Sequence, residues 1–344
     1  MGTVSVITVS VIVVNWKRDE LLRGALTSLA NQTTAAEVIV IDNEASAPVH
    51  PLAREFPRVR WIFNQRNEGF CRANNQGIAA ARGEFIALLN NDAEAEAGWL
   101  EALRSCFGNP EVGMAASKIL DYENPAIIDK AGHLIYPDGQ NRGRGTGQRD
   151  VGQFDREEET LWPDGCAAMY RRSMLDEIGG FDEDLFAYGD DAELGLRARI
   201  AGWRCLYTPR AVVRHRRSMT LGRDSLRKVT LIERNRVLLA ARHFPMSLLA
   251  LNGYYYALRI AAGILAAATA REGESALFPG FSGKVLLACA LMAGDLDALR
   301  LLPRTLRKRA RSCPPRKLTP RQVRELIFAN RISLRELSSR AVIT

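Results

Sequence analysis

The chain has 344 residues, 47% hydrophobic and 25% charged, the composition of a soluble globular protein that can bury a full core in one large domain or two ordinary ones. Its six cysteines, Cys71, Cys106, Cys166, Cys205, Cys289 and Cys313, include no Cys-x-x-Cys pair; this argues against a zinc site or disulfide framework, suits a reducing compartment, and makes most of them packing residues. The net charge of +8 is unevenly placed, with 13 Lys or Arg against Glu325 and Glu336 from Arg300 onward (+11) and about −3 over residues 1–299 (34 basic, 37 acidic).

Met1 to Val14 is apolar but lacks a basic n-region and a small-residue cleavage site, so no signal peptide is expected. Residues 4–14 are rich in β-branched side chains and read as a strand that breaks at Asn15. From Asp19 to Leu29, the spacing of Leu21, Leu22, Ala25, Leu26 and Leu29 predicts a helix. A second buried strand, VIVID at 38–42, ends in Asp42-Asn43, and a third, VRWIF at 59–63, ends at Asn64. A helix near Asn74 to Ala81 precedes the apolar run Phe85 to Leu89, which stops in Asn90, Asn91 and Asp92. A run of that length reads as a strand buried on both faces. The alternation predicts a doubly wound, mostly parallel sheet with ligands at the carboxyl ends of its strands. Asp92 then stands where a hard cation and its phosphate ligands would sit. Asn-Asn-Asp also suits a turn or a helix cap ahead of Trp99 and Leu100. No Gly-x-Gly-x-x-Gly follows the first strand, which disfavours a dinucleotide fold.

Taken in order, VSVIVVNW, VIVIDN, NEGFCRANNQGIAAARGEFIALLNND and GGFDEDLFAYGDDAELGLRARIAGWRCLYTP resemble the family 2 glycosyltransferases, particularly the bacterial rhamnosyltransferase-like branch, over roughly residues 4–240. The resemblance implies an α/β GT-A fold, Rossmann-like, with a mostly parallel sheet flanked by helices in residues 1–240. Residues 241–344 are expected to form a helical, basic and membrane-associating extension.

The same resemblance assigns candidate residues. Asn15 and Asp42 would hold the uracil or thymine nucleoside, whose pyrimidine edge and sugar hydroxyls offer both donors and acceptors. Gly69, Arg72, Asn75 and Asn91 would complete the donor site, with Gly69 letting the backbone approach the ligand or simply making a turn. Asp92 is the last carboxylate of the family's Asp-x-Asp, whose first position here is Asn90; it would bind Mg2+ or Mn2+ bridging the donor diphosphate. The reduced charge leaves a metal-independent enzyme as an alternative. His215, after the predicted strand RAVVRH, is either a further metal ligand or, with Arg214, Arg216 and Arg217, part of a basic patch. In FAYGDDAELGLR, Asp191 aligns with the catalytic base and Asp190 with the acidic residue before it, although carboxylates at a helix N-terminus also suit the helix dipole. Residues 121–165 read as a surface loop over the site, most flexible at GQNRGRGTGQRD (139–150). Trp162, Gly165 and Asp190 would meet the acceptor, Trp162 either stacking on a sugar or packing in the interior.

Beyond residue 240, Arg259 is the only charge between Phe244 and Ala270, and Val285 to Gly294 forms a second apolar segment. Neither offers about 20 clean apolar residues, so an interfacial amphipathic helix pair is expected rather than a span. With the basic tail, this pair would dock on the anionic inner face of the bacterial plasma membrane; an ordinary helical cap with a solvated tail is the alternative. No RNA-binding aromatic signature or zinc finger points to nucleic acid. The expected protein is cytoplasmic and peripheral, an inverting transferase moving rhamnose from dTDP-rhamnose to a cell-surface glycan or lipid-linked acceptor. The alternatives are a UDP-sugar transferase (galactofuranose, glucose or N-acetylhexosamine) and a nucleotide-sugar-binding protein without turnover. A nucleotidyltransferase would be expected to carry a Gly/Arg-rich phosphate loop, which VVNWKRDELL is not.

Overall fold

The computed structural model describes residues 8–45, 47, 49–216, 225–269, 278, 280–311 and 316–338. The chain runs β1 (Val9–Asn15), α1 (Asp19–Ala30), β2 (Glu37–Asn43), β3 (Arg60–Asn64), α2 (Gly69–Ala80), β4 (Phe85–Leu89), β5 (Ala93–Ala95), α3 (Trp99–Ser105) and β6 (Val112–Asp121). Next come β7 (Ile128–Lys130), β8 (His133–Ile135), β9 (Asn141–Gly143), β10 (Glu158–Glu159), β11 (Ala167–Arg171), α4 (Arg172–Ile178), α5 (Asp190–Ile200) and β12 (Arg204–His215). The helices α6 (Leu226–His243), α7 (Met246–Leu249), α8 (Asn252–Thr269), α9 (Gly280–Ala310), α10 (Pro320–Ala329) and α11 (Leu334–Ser338) complete it.

The main sheet has the order β10-β12-β6-β11-β4-β1-β2-β3. The strands β3, β2, β1 and β4 are parallel, β12 is parallel to β6, and β11 runs against both of its neighbours, β4 and β6. The expected mostly parallel sheet is therefore present. Its direction brings Asn15, Asp42, Asn64, Asp92, Asp121 and His215 to one edge, with Asn15 in register with Asp42 and His215 with Asp121. The entry to β11, at Asp164 and Gly165, reaches that edge because β11 is reversed.

The apolar residues divide between the two faces. One core joins Leu22, Ala25, Leu26 and Leu29 of α1 to Val11, Val13, Ala87 and Leu89; the other joins Ile12, Ile86 and Leu88 to α2, α4, α5 and α6. Full burial of each large aliphatic side chain stabilises by about 1.5–3 kcal/mol. The acids Asp19 and Glu20 in the first turn of α1 suit its dipole. The helix expected from Asn74 begins earlier, at Gly69. Strand β1 starts at Val9, and residues 4–7 of the expected strand lie outside the described residues, as do Arg217 and Cys313. Cys71, Cys106, Cys166 and Cys205 are buried free thiols, and Cys289 is exposed.

Two expectations are corrected. Residues 121–165 are not a surface loop: β7 pairs with β6, β8 and β9 form a hairpin, and Ile128, Ala131, Ile135, Tyr136 and Leu161 are fully buried. The glycines that read as flexibility bend the backbone tightly, with positive φ at Gly139, Gly145 and Gly147. Arg144 packs its guanidinium over Phe154 (4.8 Å) and Tyr207 (5.3 Å).

The boundary at 240 is the second. It falls inside α6, and α9 approaches α6 so closely that a Cβ on Gly294 would lie 2.7 Å from Thr230 O. Ala298, Val323 and Ile327 belong to the same core as Ile86. The basic tail is only partly solvated: Lys308 pairs with Asp182 and Asp184, and Arg304 pairs with Asp184 at 2.9 Å. Among the described residues, no helix is long and apolar enough to cross a membrane.

Candidate active site

At the β1–β2 end the side chains are mostly amides. Asn91 Nδ2 donates to Asn15 Oδ1 at 2.8 Å, while Asn15 Nδ2 donates to Asp19 Oδ1 at 3.1 Å and to Asp42 Oδ1 at 3.5 Å. The three donor-site candidates Asn15, Asp42 and Asn91 thus form one buried group. Burial raises the Asp42 pKa, with His50 opposing. His50, which no sequence motif singles out, stacks on Trp61 with centroids 4.5 Å apart and has Nε2 3.1 Å from Asp19 Oδ1.

The other donor candidates are placed differently. Gly69 (φ 84°) makes room for Phe186, since a Cβ there would lie 2.5 Å from the Phe186 ring and 2.8 Å from its carbonyl oxygen. Its close approach is to protein. Asn75 donates to Phe181 O (2.9 Å) and Glu183 (3.1 Å) and accepts from Phe181 N (2.8 Å), so its amide braces the segment before α5. Arg72, half-exposed, pairs with Glu68 at 3.1 Å.

Asp92 and His215 come together. His215 Nε2 lies 3.3 Å from Asp92 Oδ1, yet that oxygen is buried without a hydrogen bond. An orphaned carboxylate oxygen facing an imidazole nitrogen is a donor set that fits a divalent cation. The second nitrogen, His215 Nδ1, is 2.8 Å from Asp129 Oδ2, a carboxylate–imidazole contact that fixes ring orientation in metal-binding histidines. Burial would lower the His215 pKa, but the surrounding Cys166, Asp92 and Asp129 raise it well above the usual histidine value. The same pairing lowers Asp92 against the effect of its own burial.

Next to this pair is a second cluster. Lys130 Nζ is 2.6 Å from Asp164 Oδ2, His133 Nε2 is 2.8 Å from the same oxygen, and His133 Nε2 is 3.5 Å from Asp191 Oδ2. Ligand atoms of His133, Asp164 and Asp191 lie within 4.8 Å of one another. The Lys130 ammonium already supplies the cation there, which makes this group a poorer metal site than Asp92 and His215. Burial would raise Asp164, and Lys130 and His133 bring it well below the usual carboxylate range. Asp190 and Asp191 go the other way: burial first, then neighbouring carboxylates, raises both, with His133 and Lys130 moderating Asp191. Gly165 joins them, its N–H donating to Asp191 Oδ2 at 3.4 Å.

No motif singles out Asp129, Lys130, His133 and Asp164, because they lie in a segment whose Gly, Asp and Arg content suits a loop. The apolar pairs Ile127-Ile128 and Leu134-Ile135 that bracket DKAGH mark the short strands. Trp162 is corrected to a core residue. It has no exposed surface, stacks with His133 at 6.0 Å, and is so close to α5 that a Cβ on Gly195 would lie 2.2 Å from its Cβ.

Ionisable groups in mutual contact thus line the carboxyl edge of this α/β sheet. The model described as Glycosyl transferase family 2 matches residues 10–179, and that described as Glycosyl transferase family group 2 matches residues 150–293. The chain belongs to the family 2 glycosyltransferases. This glycosyltransferase is 30% identical over 227 residues to the pre-mycofactocin glycosyltransferase of Mycobacterium tuberculosis H37Rv, a match covering 64% of this chain and 45% of the relative. It therefore spans less than half of that protein. It is 27% identical over 238 residues to the N-acetylglucosaminyl-diphospho-decaprenol L-rhamnosyltransferase of the same organism, covering 62% of this chain and 78% of the relative. An O-antigen biosynthesis protein of Myxococcus xanthus is 29% identical over 234 residues, 63% of this chain and 18% of the relative.

The GT-A fold is shared with solved glycosyltransferases. GalNAc-T7, solved with UDP, GalNAc and Mn2+, superposes with a TM-score of 0.57 at 17% identity, covering 70% of this chain and 48% of its own. A Pyrobaculum calidifontis mannosyltransferase, solved with GDP-Man and Mn2+, gives 0.52 at 18% identity over 88% and 86%.

Proposed function

We propose that this family 2 glycosyltransferase is an inverting enzyme that transfers rhamnose from dTDP-rhamnose to a cell-surface glycan or lipid-linked acceptor. The observation that carries the reaction type is the run of groups from Asp92 and His215, through Asp129, Lys130 and Asp164, to His133 and Asp191. It joins a site suited to a departing diphosphate with a carboxylate suited to take a proton. The donor choice is supported by the sequence pattern and by the rhamnosyltransferase among the relatives.

Asn15, Asp42 and Asn91 hold the nucleoside. Asp92 and His215 hold Mg2+ or Mn2+, which when bound supplies Lewis-acid stabilisation of the leaving diphosphate. Asp191 Oδ2 accepts the proton of the acceptor hydroxyl. The hydroxyl oxygen forms its bond to the anomeric carbon as the bond to the phosphate oxygen breaks, and that electron pair leaves with the nucleoside diphosphate. Direct attack inverts the anomeric carbon and needs one base. His133, between Asp164 and Asp191, orients that base.

A thermal-shift screen of dTDP-, UDP- and GDP-sugars with and without Mn2+, followed by product analysis of the anomeric configuration, tests this reading. Stabilisation by GDP-sugars alone would overturn the donor choice, and a retained configuration would overturn the direct displacement.

The acceptor class goes with a peripheral position at the inner face of the plasma membrane. Residues 246–306 supply 12 of the 15 large apolar side chains exposed among the described residues. At about 3.6 residues per turn, Phe281, Val285, Met292, Leu296 and Leu299 form one stripe of α9. They face away from the buried Ala290, Gly294 and Ala298, with Arg300, Arg304 and Arg307 along one border. An apolar stripe flanked by cations suits an anionic lipid surface. Flotation with anionic but not zwitterionic vesicles is expected, and its absence removes the membrane from the proposal.

A further inference from the structure

The approach to the base is made of strained backbone. Phe186 has φ 64° and ψ −62°, and Ala187 N–H donates to Leu185 O at 2.7 Å, a γ-turn of the rare, strained hand. Tyr188 (φ 67°) and Gly189 (φ 70°, ψ 8°) follow in the left-handed region, and Asp190 and Asp191 then open α5. A bulky residue in such a conformation is disfavoured and persists only where its surroundings over-determine it.

Those surroundings come from α6 on one side. Asn235, buried, points its Nδ2 at three carbonyls, those of Leu185 (3.0 Å), Ala187 (2.9 Å) and Tyr188 (2.6 Å). Its Oδ1 accepts from Arg234 Nε at 2.9 Å, and Arg234 Nη2 itself donates to Leu185 O at 2.6 Å. The cations of Arg227 and Lys228 lie 5.5 Å and 5.6 Å over the rings of Phe186 and Tyr188. On the other side α2 closes in, with Cys71 N–H donating to Phe186 O at 3.1 Å and Gly69 against the Phe186 ring.

We infer that Asn235 is a positioning residue for the catalytic carboxylate Asp191 and its neighbour Asp190: its amide gathers three carbonyls of the strained turn 185–188 and so fixes where α5 begins and where the two carboxylates point. The chemistry is specific to an amide, since one sp² nitrogen carries two N–H donors toward converging oxygens, whereas an aspartate of the same shape would present only acceptors. The inference rests on Asp191 being the base and names what holds it in place.

The test compares full-length wild type, Asn235→Ala and Asn235→Asp by peptide-resolved hydrogen exchange, by nucleotide affinity and by turnover. Expected are faster exchange confined to residues 181–191, nucleotide affinity within about twofold, and kcat lower by ~10- to 100-fold, the scale of a small misplacement of a catalytic group. The aspartate variant should be at least as impaired as alanine. If the alanine variant is recovered unfolded, Asn235→Ser, which keeps one donor, replaces it with an intermediate loss. Unchanged exchange in 181–191 overturns the inference, as does full turnover with a loosened turn, or a uniform loss of melting temperature and nucleotide affinity. Should the wild type turn over no nucleotide sugar, the transferase reading fails, while the exchange comparison still decides whether Asn235 holds the turn.

Discussion

Lys130 Nζ sits 2.6 Å from Asp164 Oδ2 in the interior of the cleft, so a lysine in a three-residue strand neutralises a carboxylate at the entry to β11. Removing one partner of a buried ion pair leaves the other uncompensated, which costs roughly 3–5 kcal/mol. Lys130 retains about a fifth of its side-chain exposure, so Lys130→Met is expected at the low end, about 3 kcal/mol. Urea unfolding of the two proteins measures this, and a difference below about 1 kcal/mol, the range of surface pairs, would show that water screens the pair.

Asp191→Asn should lower kcat by about 10²- to 10⁴-fold with donor affinity preserved, the signature of a lost general base. Because the Asp191 carboxyl is raised above the usual aspartate value, wild-type turnover should fall with acidification at a pH higher than an ordinary aspartate would give. A pH–rate profile reads both. Full activity in the asparagine variant takes Asp191 out of the mechanism.

His215→Ala should abolish the response of nucleotide binding to Mn2+. Asp129→Asn, which alters the contact to the far nitrogen of the imidazole, should weaken apparent Mn2+ affinity by about 10- to 100-fold, as orienting partners of metal ligands do. Manganese titrations followed by thermal shift distinguish the two. Identical Mn2+ responses in wild type and His215→Ala would place the cation elsewhere or nowhere.

His243 should contribute a loss of stability on mild acidification. Burial pulls its pKa down to about 4, while Nε2 donates to the Glu193 carboxylate at 2.8 Å. The unfolded chain takes up a proton near the ordinary histidine value of about 6.5 and the folded one only near 4, so between those values the unfolded state binds more protons and folding is progressively disfavoured as pH falls. The loss should reach up to about 3 kcal/mol at the bottom of that window. Glu193, held well below the usual glutamate range by Arg197, His243 and Arg242 against its own burial, withdraws its contribution only at lower pH still. Denaturant melts between pH 7 and 4, with His243→Asn as comparison, should show the variant's curve flattened.

Much of the fold and part of the site are legible in the residues alone. Strands ending in Asn15, Asp42 and Asn64 announce a carboxyl edge, because short polar side chains collect where an apolar strand leaves the sheet, and Asp92 and His215 both come to that edge. The reversed β11 and the contacts of α6 are not legible, since neither strand direction nor the partner of a helix face is encoded in local periodicity. DKAGH is obscured for a related reason. Its charges look solvated one by one, and only the meeting of Lys130 with Asp164, or His133 with Asp191, allows them to be buried. Trp162 stays open between two roles because an indole satisfies a core and a sugar equally well until its neighbours are known.

The shared core of α9, α10 and the sheet has a consequence for how this protein can be divided. A fragment ending at residue 240 would cut α6 and strip Ala298, Val323 and Ile327 from a continuous hydrophobic interior. The tail is therefore no interchangeable cassette. Calorimetry of the intact chain should give one cooperative transition rather than two, and grafting another relative's tail would require rebuilding the outer face of α6 along with it.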